Sequence, residues 1–340
     1  MKTLTFIIPS YNSAHFLDKC IPSMLHPQVM DKLQIIVVND GSTDNTAQTA
    51  QKYCQQYPDT VCLINQENKG HGGALNTGCE AAQGKYLKVI DADDWVETEN
   101  LPALIAALED CDSDVVLAHY HTFDIQTNEV KDWKSFPEEF GRAYSLETIM
   151  ENWRSFYQLM TFHGIFYRRD FYRQFGMALT EHVFYEDYEF ATVPCCFAKT
   201  LRPLDLFVYD YRIGDVNQSV SDASKLKRLG HMQTVLARLI KANRDSDLTE
   251  AGKAYVAVKA QELLLSYLTI VLLANPDKKD GRRKANEMME KFRQEFPAAA
   301  ALAEKKYKIF CLMNRLHISN RMWKRIAESK LYRKLRGNGI

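Results

Sequence analysis

Short apolar runs recur through the first 118 residues, each followed by a stretch with helical spacing, and this alternation restricts the fold more than any other feature of the chain. Leu4–Ile8, Gln34–Val38, Val61–Ile64, Tyr86–Ile90 and Val115–Ala118 read as strands. The runs IIVV and YLKVI are rich in β-branched or aromatic residues, as strands buried on both faces are. Between the runs, Ser13 predicts a helix N-cap ahead of Phe16, Leu17, Cys20, Ile21, Met24 and Leu25 on one face. Thr43 predicts the next cap, with Ala47, Ala50 and Cys54 turned inward, and a third helix is predicted from near Gly72 to Ala82. Strand–helix repetition of this kind predicts an α/β fold, a mostly parallel sheet flanked by helices.

The chain has 340 residues, which suits one large domain and an accessory part. Residues 119–220 are mixed, with aromatic clusters and Gly/Pro breaks. Residues 222–340 read as helical: Lys225–Ala242, Glu250–Ala274 and Arg282–Phe296 repeat apolar residues at helical spacing, and Pro276 and Pro297 mark breaks. The boundary is therefore set near Ser221, giving 1–221 as the α/β domain and 222–340 as a helical accessory region. Eight cysteines without a CxxC pair predict free, mostly buried thiols in a reducing compartment. The apolar run at the N-terminus is too short for a signal peptide. The longest later run, Leu263–Ala274, has twelve residues where a membrane span needs roughly 20. A cytoplasmic location is expected.

Net charge is zero, but its distribution is uneven. From Lys305 onward there are 11 Lys/Arg against one acid, Glu328, which leaves 32 basic and 42 acidic residues in 1–304. The stretch 305–336 interleaves bases with Ile309, Phe310, Leu312, Met313, Leu316, Met322, Trp323, Ile326, Leu331 and Tyr332. Such a basic amphipathic segment fits an anionic membrane surface, at the inner face of the cell membrane, or equally a helical cap docked on the acidic body. Nucleic acid is not expected as a partner, because no recognition module accompanies the bases.

Six segments carry candidate chemistry. Ile8-Pro9-Ser10-Tyr11-Asn12 follows the first strand, where α/β sheets bind ligands beyond the strand ends, and Tyr11 offers a ring to a nucleobase. Asp40 closes the second strand and can accept from a base N–H. Asn68-Lys69-Gly70-His71-Gly72-Gly73 precedes a helix and can cradle a phosphate. Read singly, each of these is as readily a plain turn. Asp91-Ala92-Asp93-Asp94 is stronger. Three acids at the end of a buried strand repel one another and call for a cation. Hard oxygen donors suit Mn²⁺ or Mg²⁺ with substrate phosphates in the shell, and small Ala92 leaves room for a ligand. Glu186 and Asp187 form a carboxylate pair among aromatics, a setting for a general base or for an exposed helix start. Arg212 can stabilise a departing diphosphate, ahead of a glycine-containing stretch that reaches Ser219.

Taken in order, IIPSYN, IIVVNDGSTDNT, NKGHGGALNTG, GKYLKVIDADDW and FYEDYEF resemble glycosyltransferase family 2, the inverting family with the GT-A fold. The resemblance covers about residues 3–220. It implies that Pro9, Tyr11, Asn12 and Asp40 wall the base, with Asn68, Gly70 and His71 beside the nucleotide. It implies that Asp91-Ala92-Asp93 is the DxD motif, with Asp93 on the metal and Asp91 on the ribose or a metal-bound water. It further implies that Asp187 of the Glu186-Asp187 pair is the base, and that Arg212 and Ser219 contact the diphosphate. UDP is the commonest nucleotide of the family, so a UDP-sugar is the expected donor, and a hydroxyl of a glycan or lipid-linked molecule the expected acceptor, in cell-surface polysaccharide or glycolipid synthesis.

Three positions depart from the family pattern. Asn39 stands where a second acid is common, Leu75 where an arginine often precedes the asparagine, and Gly214-Asp215 where some members carry a lid histidine. Trp153, Phe156, Tyr157, Phe162 and His163 offer aromatic surface to an acceptor sugar, or a core cluster; Trp153 and His163 are the acceptor candidates. Two other functions are compatible with an α/β nucleotide fold: a catalytically silent nucleotide-sugar-binding protein, and a nucleotidyltransferase. The latter would need a glycine-rich basic motif after the first strand, where the sequence has IPSYN.

Overall fold

The structure is a computed structural model that describes residues 2–215, 222–245, 247–320 and 322–323. The chain forms two compact units, Met1–Gln218 with Asp247–Gly252, and Ser219–Ser246 with Lys253–Ile340. The short return of 247–252 to the first unit is marked by no change in composition.

The first unit opens with β1 (Leu4–Ser10), α1 (Ala14–Ser23), β2 (Leu33–Asp40), α2 (Thr46–Gln56), β3 (Val61–Gln66), α3 (Gly70–Ala81) and β4 (Tyr86–Val89). β1 runs parallel to β2 and β4, and β2 parallel to β3. Every residue of β1 and β2 is buried, as helices on both faces require. α3 is seated tightly on β1: a Cβ at Gly78 would lie 2.3 Å from Ile7 Cγ2. The order β3-β2-β1-β4 reverses the winding between β1 and β4. A crevice opens beyond the carboxyl ends of strands at such a point.

The rest of the unit is β5 (Trp95–Val96), α4 (Leu101–Glu109), β6 (Val115–Asp124), β7 (Val130–Trp133), α5 (Leu146–Glu151), α6 (Trp153–Phe156), β8 (Ile165–Arg168), α7 (Arg169–Arg173), α8 (Glu186–Thr192) and β9 (Leu201–Ile213). β8 inserts antiparallel between β4 and β6, while β9 runs parallel to β6 and carries β5 antiparallel on its other edge. Parallel pairing predominates in the nine-stranded sheet. β6 runs six residues past the predicted Ala118, because His119–Asp124 pairs with β9 and Tyr120–Phe123 also with β7.

The helix starts differ from expectation in instructive ways. Ser13 occupies the N-cap of α1, but its hydroxyl donates to the Tyr11 carbonyl rather than capping. Thr43 does not cap α2. Asp44 does the work instead, accepting from Thr46 N at 2.9 Å through Oδ1 and from Ala14 N at 3.2 Å through Oδ2, so one carboxylate serves the starts of two helices. α3 begins two residues before Gly72, at Gly70, whose φ of +76° is costly for a residue with a side chain. Leu17, Cys20, Ile21 and Met24 are fully buried as predicted. None of the eight cysteines forms a disulfide, and five are buried.

The second unit is helical: α9 (Asp222–Lys227), α10 (Leu229–Asn243), α11 (Glu250–Thr269, its first turn lying in the 247–252 segment), a π turn (Ile270–Ala274), α12 (Lys278–Glu295) and α13 (Pro297–Arg315). α12 starts four residues before Arg282, capped by Asp277, which accepts from Lys279 N and Asp280 N. Its Gly281 meets the π turn where a Cβ would sit 2.0 Å from the Val271 carbonyl oxygen. Pro297 occupies the first turn of α13, where its missing N–H costs nothing. Glu250–Ala274 is long and apolar enough to cross a bilayer, a length the twelve-residue run concealed. Its most apolar window is 67% buried in protein, as in a core helix. Phe310 and Met313 of the basic segment are buried, whereas Ile309, Leu312 and Leu316 are exposed; Ile326, Leu331 and Tyr332 lie outside the described residues.

Candidate active site

Three loops at the carboxyl edge of the parallel strands meet around a cleft of about 380 Å³. Pro9 and Tyr11 come from the end of β1, Asp40 from the end of β2, and Asn68, Gly70 and His71 from the start of α3. The opposite wall is the loop of His182, Val183 and Phe184 ahead of α8, of which the sequence motifs include only Phe184, the first residue of FYEDYEF. Tyr11 and Phe184 are 54% and 42% exposed, so the cleft offers aromatic surface to a flat ligand.

The loops are tied together by short bonds. Asp40, nearly fully buried, accepts from Gln66 Nε2 at 2.7 Å and from Lys69 N at 2.8 Å at the same oxygen. Asn68 donates to the Asp40 carbonyl at 2.9 Å. A Cβ on Gly70 would lie 2.9 Å from His182 N, so the facing loop closes on this glycine. Asn12 plays a different part from the one expected. It does not line the cleft; its Oδ1 accepts from Thr43 N at 2.8 Å, and its N–H donates to Ser42 Oγ, clasping the first two loops.

His71 joins the cleft to the acids. Its Nε2 lies 2.9 Å from Asp91 Oδ1 and its Nδ1 2.6 Å from Glu186 Oε1. Burial disfavours its charged form, but the hydrogen bonds and charge of Asp91 and Glu186 win, raising its proton affinity well above the ordinary histidine value. Burial likewise works against ionisation of Asp91, and the bond to His71 outweighs it, so the carboxyl lies below the usual range. Glu186 is 5% exposed, and among the described residues its Oε2 has no hydrogen-bond partner.

The acids after β4 take three separate environments. Ala92 is buried and small. Asp93 is part-exposed, its Oδ2 3.7 Å from Arg212 Nη1. Asp94 is 1% exposed and turned away from the cleft: it accepts from the Tyr209 hydroxyl and, at 2.7 Å, from Arg212 N. Burial, then the charges of Asp91 and Asp93, drives the Asp94 carboxyl well above its ordinary value. Asp94 therefore clasps β9 to the acidic loop. That brings Arg212 beside Asp93, with its other branch 2.8 Å from Asp215.

Tyr209 and Tyr211 alternate with these residues along β9 and face His163. The imidazole stacks on Tyr211 with centroids 4.2 Å apart and meets Tyr209 edge-on at 5.1 Å. Burial lowers the His163 pKa to about 4, so the ring is neutral near pH 7. The Tyr211 hydroxyl is pushed up by burial and then by the charges of Asp94, Asp91, Asp93 and Asp187. Beneath them Lys88 of β4 is fully buried and donates to the carbonyls of Phe162, His163 and Ile165 at 2.8, 2.6 and 3.2 Å. Burial holds its ammonium well below the ordinary lysine value against the opposing charges of Asp91 and Asp94. Phe156 and Phe162 are core residues. Trp153 opens α6, whose Ser155 and Phe156 line a separate cleft of about 250 Å³ with Phe136 and Tyr144. Ser219 lies outside the described residues.

Among the described residues, one trio of mixed donors has ligand atoms within 4.8 Å of one another: Glu97, His121 and Asp210. It is not the pair Asp91 and Asp93. It arises because β9 places Asp210 opposite both Trp95 and His121. Burial and the neighbouring Glu97 raise the Asp210 carboxyl to about 7.

The family model for glycosyl transferase family 2 matches residues 5–176. The Escherichia coli glycosyltransferase YibD is 38% identical over 146 residues, 43% of this chain and 41% of that protein. Curated relatives are matched over 12% to 60% of their own length. Among solved structures, Staphylococcus aureus TarS 1–349 superposes with a TM-score of 0.64 at 19% identity, covering 98% of this chain and 92% of that one. Its complex with UDP-GlcNAc superposes at 0.58, over 94% and 93%. A mannosyltransferase from Pyrobaculum calidifontis, in complex with GDP-Man and Mn²⁺, has a TM-score of 0.52 at 20% identity over 96% and 88%. The curled, mostly parallel sheet is that of the GT-A glycosyltransferases, and with the family model spanning just over half its length the chain belongs to glycosyl transferase family 2.

Proposed function

We propose that this chain transfers a sugar from a nucleoside diphosphate, UDP by preference, to a hydroxyl of a glycan or lipid-linked acceptor in polysaccharide assembly, inverting the anomeric carbon. The observation that carries the reading is the His71 bridge, because it joins a cleft suited to a nucleotide with both carboxylate sites. The nucleobase fits between Tyr11 and the 182–184 loop, with Asp40 at the cleft's base. The solved relatives bound to UDP-GlcNAc and to GDP-Man support a donor of this class.

The acids fit a divalent ion. Like-charge crowding of Asp91 and Asp93 on Asp94 is what a cation relieves, and Asp93 presents a part-exposed hard oxygen donor. Asp93 would hold Mn²⁺ or Mg²⁺, with Asp91 kept by His71 for the ribose or an ion-bound water. When bound, such an ion supplies charge stabilisation to the departing diphosphate. Arg212 lies beside Asp93 and contributes positive charge at the same place. Asp187, the second acid of the pair that opens α8, accepts the proton of the acceptor hydroxyl as that oxygen attacks the anomeric carbon opposite the diphosphate. A single displacement inverts the carbon. Neutral His163 on its tyrosine floor presents aromatic surface to the acceptor ring.

A panel of nucleotide sugars with Mn²⁺ tests this. Release of free nucleoside diphosphate, accelerated by an acceptor glycan, is the expected result. Release of inorganic diphosphate would make the chain a nucleotidyltransferase, and tight donor binding without turnover would make it a silent binding protein.

A further inference from the structure

Among the described residues, helix α13 is committed on one face only. Ala299, Ala300, Ala303, Phe310, Met313 and Asn314 are buried, and Asn314 donates to the Leu272 carbonyl at 2.6 Å while accepting from Arg282. The opposite face is apolar where a solvated helix would be polar. Leu302, Ile309, Leu312 and Leu316 are 49%, 39%, 57% and 61% exposed. At about 100° per residue they fall within an arc of roughly 80°, over a length of about 21 Å. Single exposed leucines are ordinary, but four large apolar side chains aligned on one face mark an interaction surface.

Its borders decide what it fits. Lys305 sits within the arc, Lys306 on one side, and Lys308 and Arg315 on the other; all four are exposed. The single acid of α13, Glu304, is engaged by Arg293 at 3.0 Å and Lys308 at 3.6 Å. An apolar centre with a basic rim complements a surface that is apolar beneath and negative above. A second copy of the same face would bring like charges together.

We propose that the outer face of α13 docks on an anionic lipid bilayer. Leu302, Ile309, Leu312 and Leu316 enter the boundary between headgroups and acyl chains, and Lys305, Lys306, Lys308 and Arg315 meet the lipid phosphates. This holds whether or not the chain is a transferase.

The test is flotation of the full chain with vesicles of phosphatidylcholine containing phosphatidylglycerol, against phosphatidylcholine alone, at low and high salt. Binding to the anionic vesicles is expected, at least about tenfold weaker on neutral vesicles and at high salt. The combined variant Ile309→Ser, Leu312→Ser, Leu316→Ser should lose about tenfold or more in anionic-vesicle binding, with unchanged melting temperature. Lys305→Glu, Lys308→Glu, Arg315→Glu should do the same without touching any apolar side chain, so it decides the matter if the first variant fails to fold. The proposal is overturned by equal binding to both vesicles, by full flotation of both variants, or by no flotation at all. It is also overturned if the serine variant abolishes a concentration-dependent dimer while vesicles capture neither form.

Discussion

Replacing His71 by alanine removes both bonds of the bridge, and the two halves differ in cost. On the Glu186 side, the carboxylate is 5% exposed and Oε2 has no partner among the described residues, so losing the 2.6 Å contact at Oε1 leaves a buried carboxylate without its hydrogen bond. Breaking such a pair costs about 3–5 kcal/mol when burial is complete. On the Asp91 side, both side chains are about one-third exposed, and water recovers most of the loss. A net destabilisation of about 2–4 kcal/mol follows, on the order of 5–12 °C in Tm for a unit of this size. The proton linkage fixes the pH dependence. Because His71 binds its proton more tightly when folded, its contribution is fully present below the unfolded value, near 6.5, and is lost as pH rises through the folded one. The wild-type advantage over His71→Ala should therefore be larger at pH 6 than at pH 9. Turnover should fall about 10–100-fold, as for other residues that orient functional groups. Thermal melts and nucleoside-diphosphate release read both effects. The decisive measurement is the cycle of His71→Ala, Glu186→Gln and the double variant, for which a coupling above about 1 kcal/mol is expected. Additive effects, or a Tm within about 2 °C of wild type, would refute the bridge as a strut.

Asp187→Asn should lower kcat by about 10²–10⁴-fold and leave the donor Kd, measured by calorimetry, nearly unchanged. Asp93→Ala should weaken both, and the Mn²⁺ dependence of donor binding should disappear. Asp210→Asn tests the trio of Glu97, His121 and Asp210: a carboxyl raised from 3.8 to about 7 by burial takes up protons on folding, so wild-type stability falls as pH climbs through that window. The full displacement is on the order of 4 kcal/mol. The asparagine variant should gain up to that at pH 8 and almost nothing at pH 4, as read by urea unfolding at the two values. Lys88→Met strands three buried carbonyls; a loss of about 2–4 kcal/mol in urea, with a weakened KM for acceptor, is expected.

What local pattern could reveal, it did. The strand ends that deliver Pro9, Asp40 and Asp91 follow from apolar runs and the residues that close them, because burial on both faces writes itself into consecutive positions. Pairings across distance leave no such trace. His71 was read as a neighbour of the nucleotide, yet its partners are 20 and 115 residues away. Asp94 looked like one more acid of a cluster, and only the antiparallel seating of β5 on β9 shows that it faces Tyr209 and Arg212. The 182–184 wall lacks any periodic signal, and is recognisable only from the way its backbone closes on Gly70. Thr43 lost the cap of α2 to Asp44 because a carboxylate at that point reaches two helix starts at once.

The clasp made by Asp94 bears on how this protein can be cut down. The family-matched stretch ends at residue 176, and an experimenter seeking a minimal catalytic piece would naturally excise there. Tyr209 and the backbone of Arg212, which fasten the acidic loop, would then be discarded together with Glu186 and Asp187. Such a fragment would retain every glycine and aspartate of the nucleotide motifs and still have a slack, miswired centre.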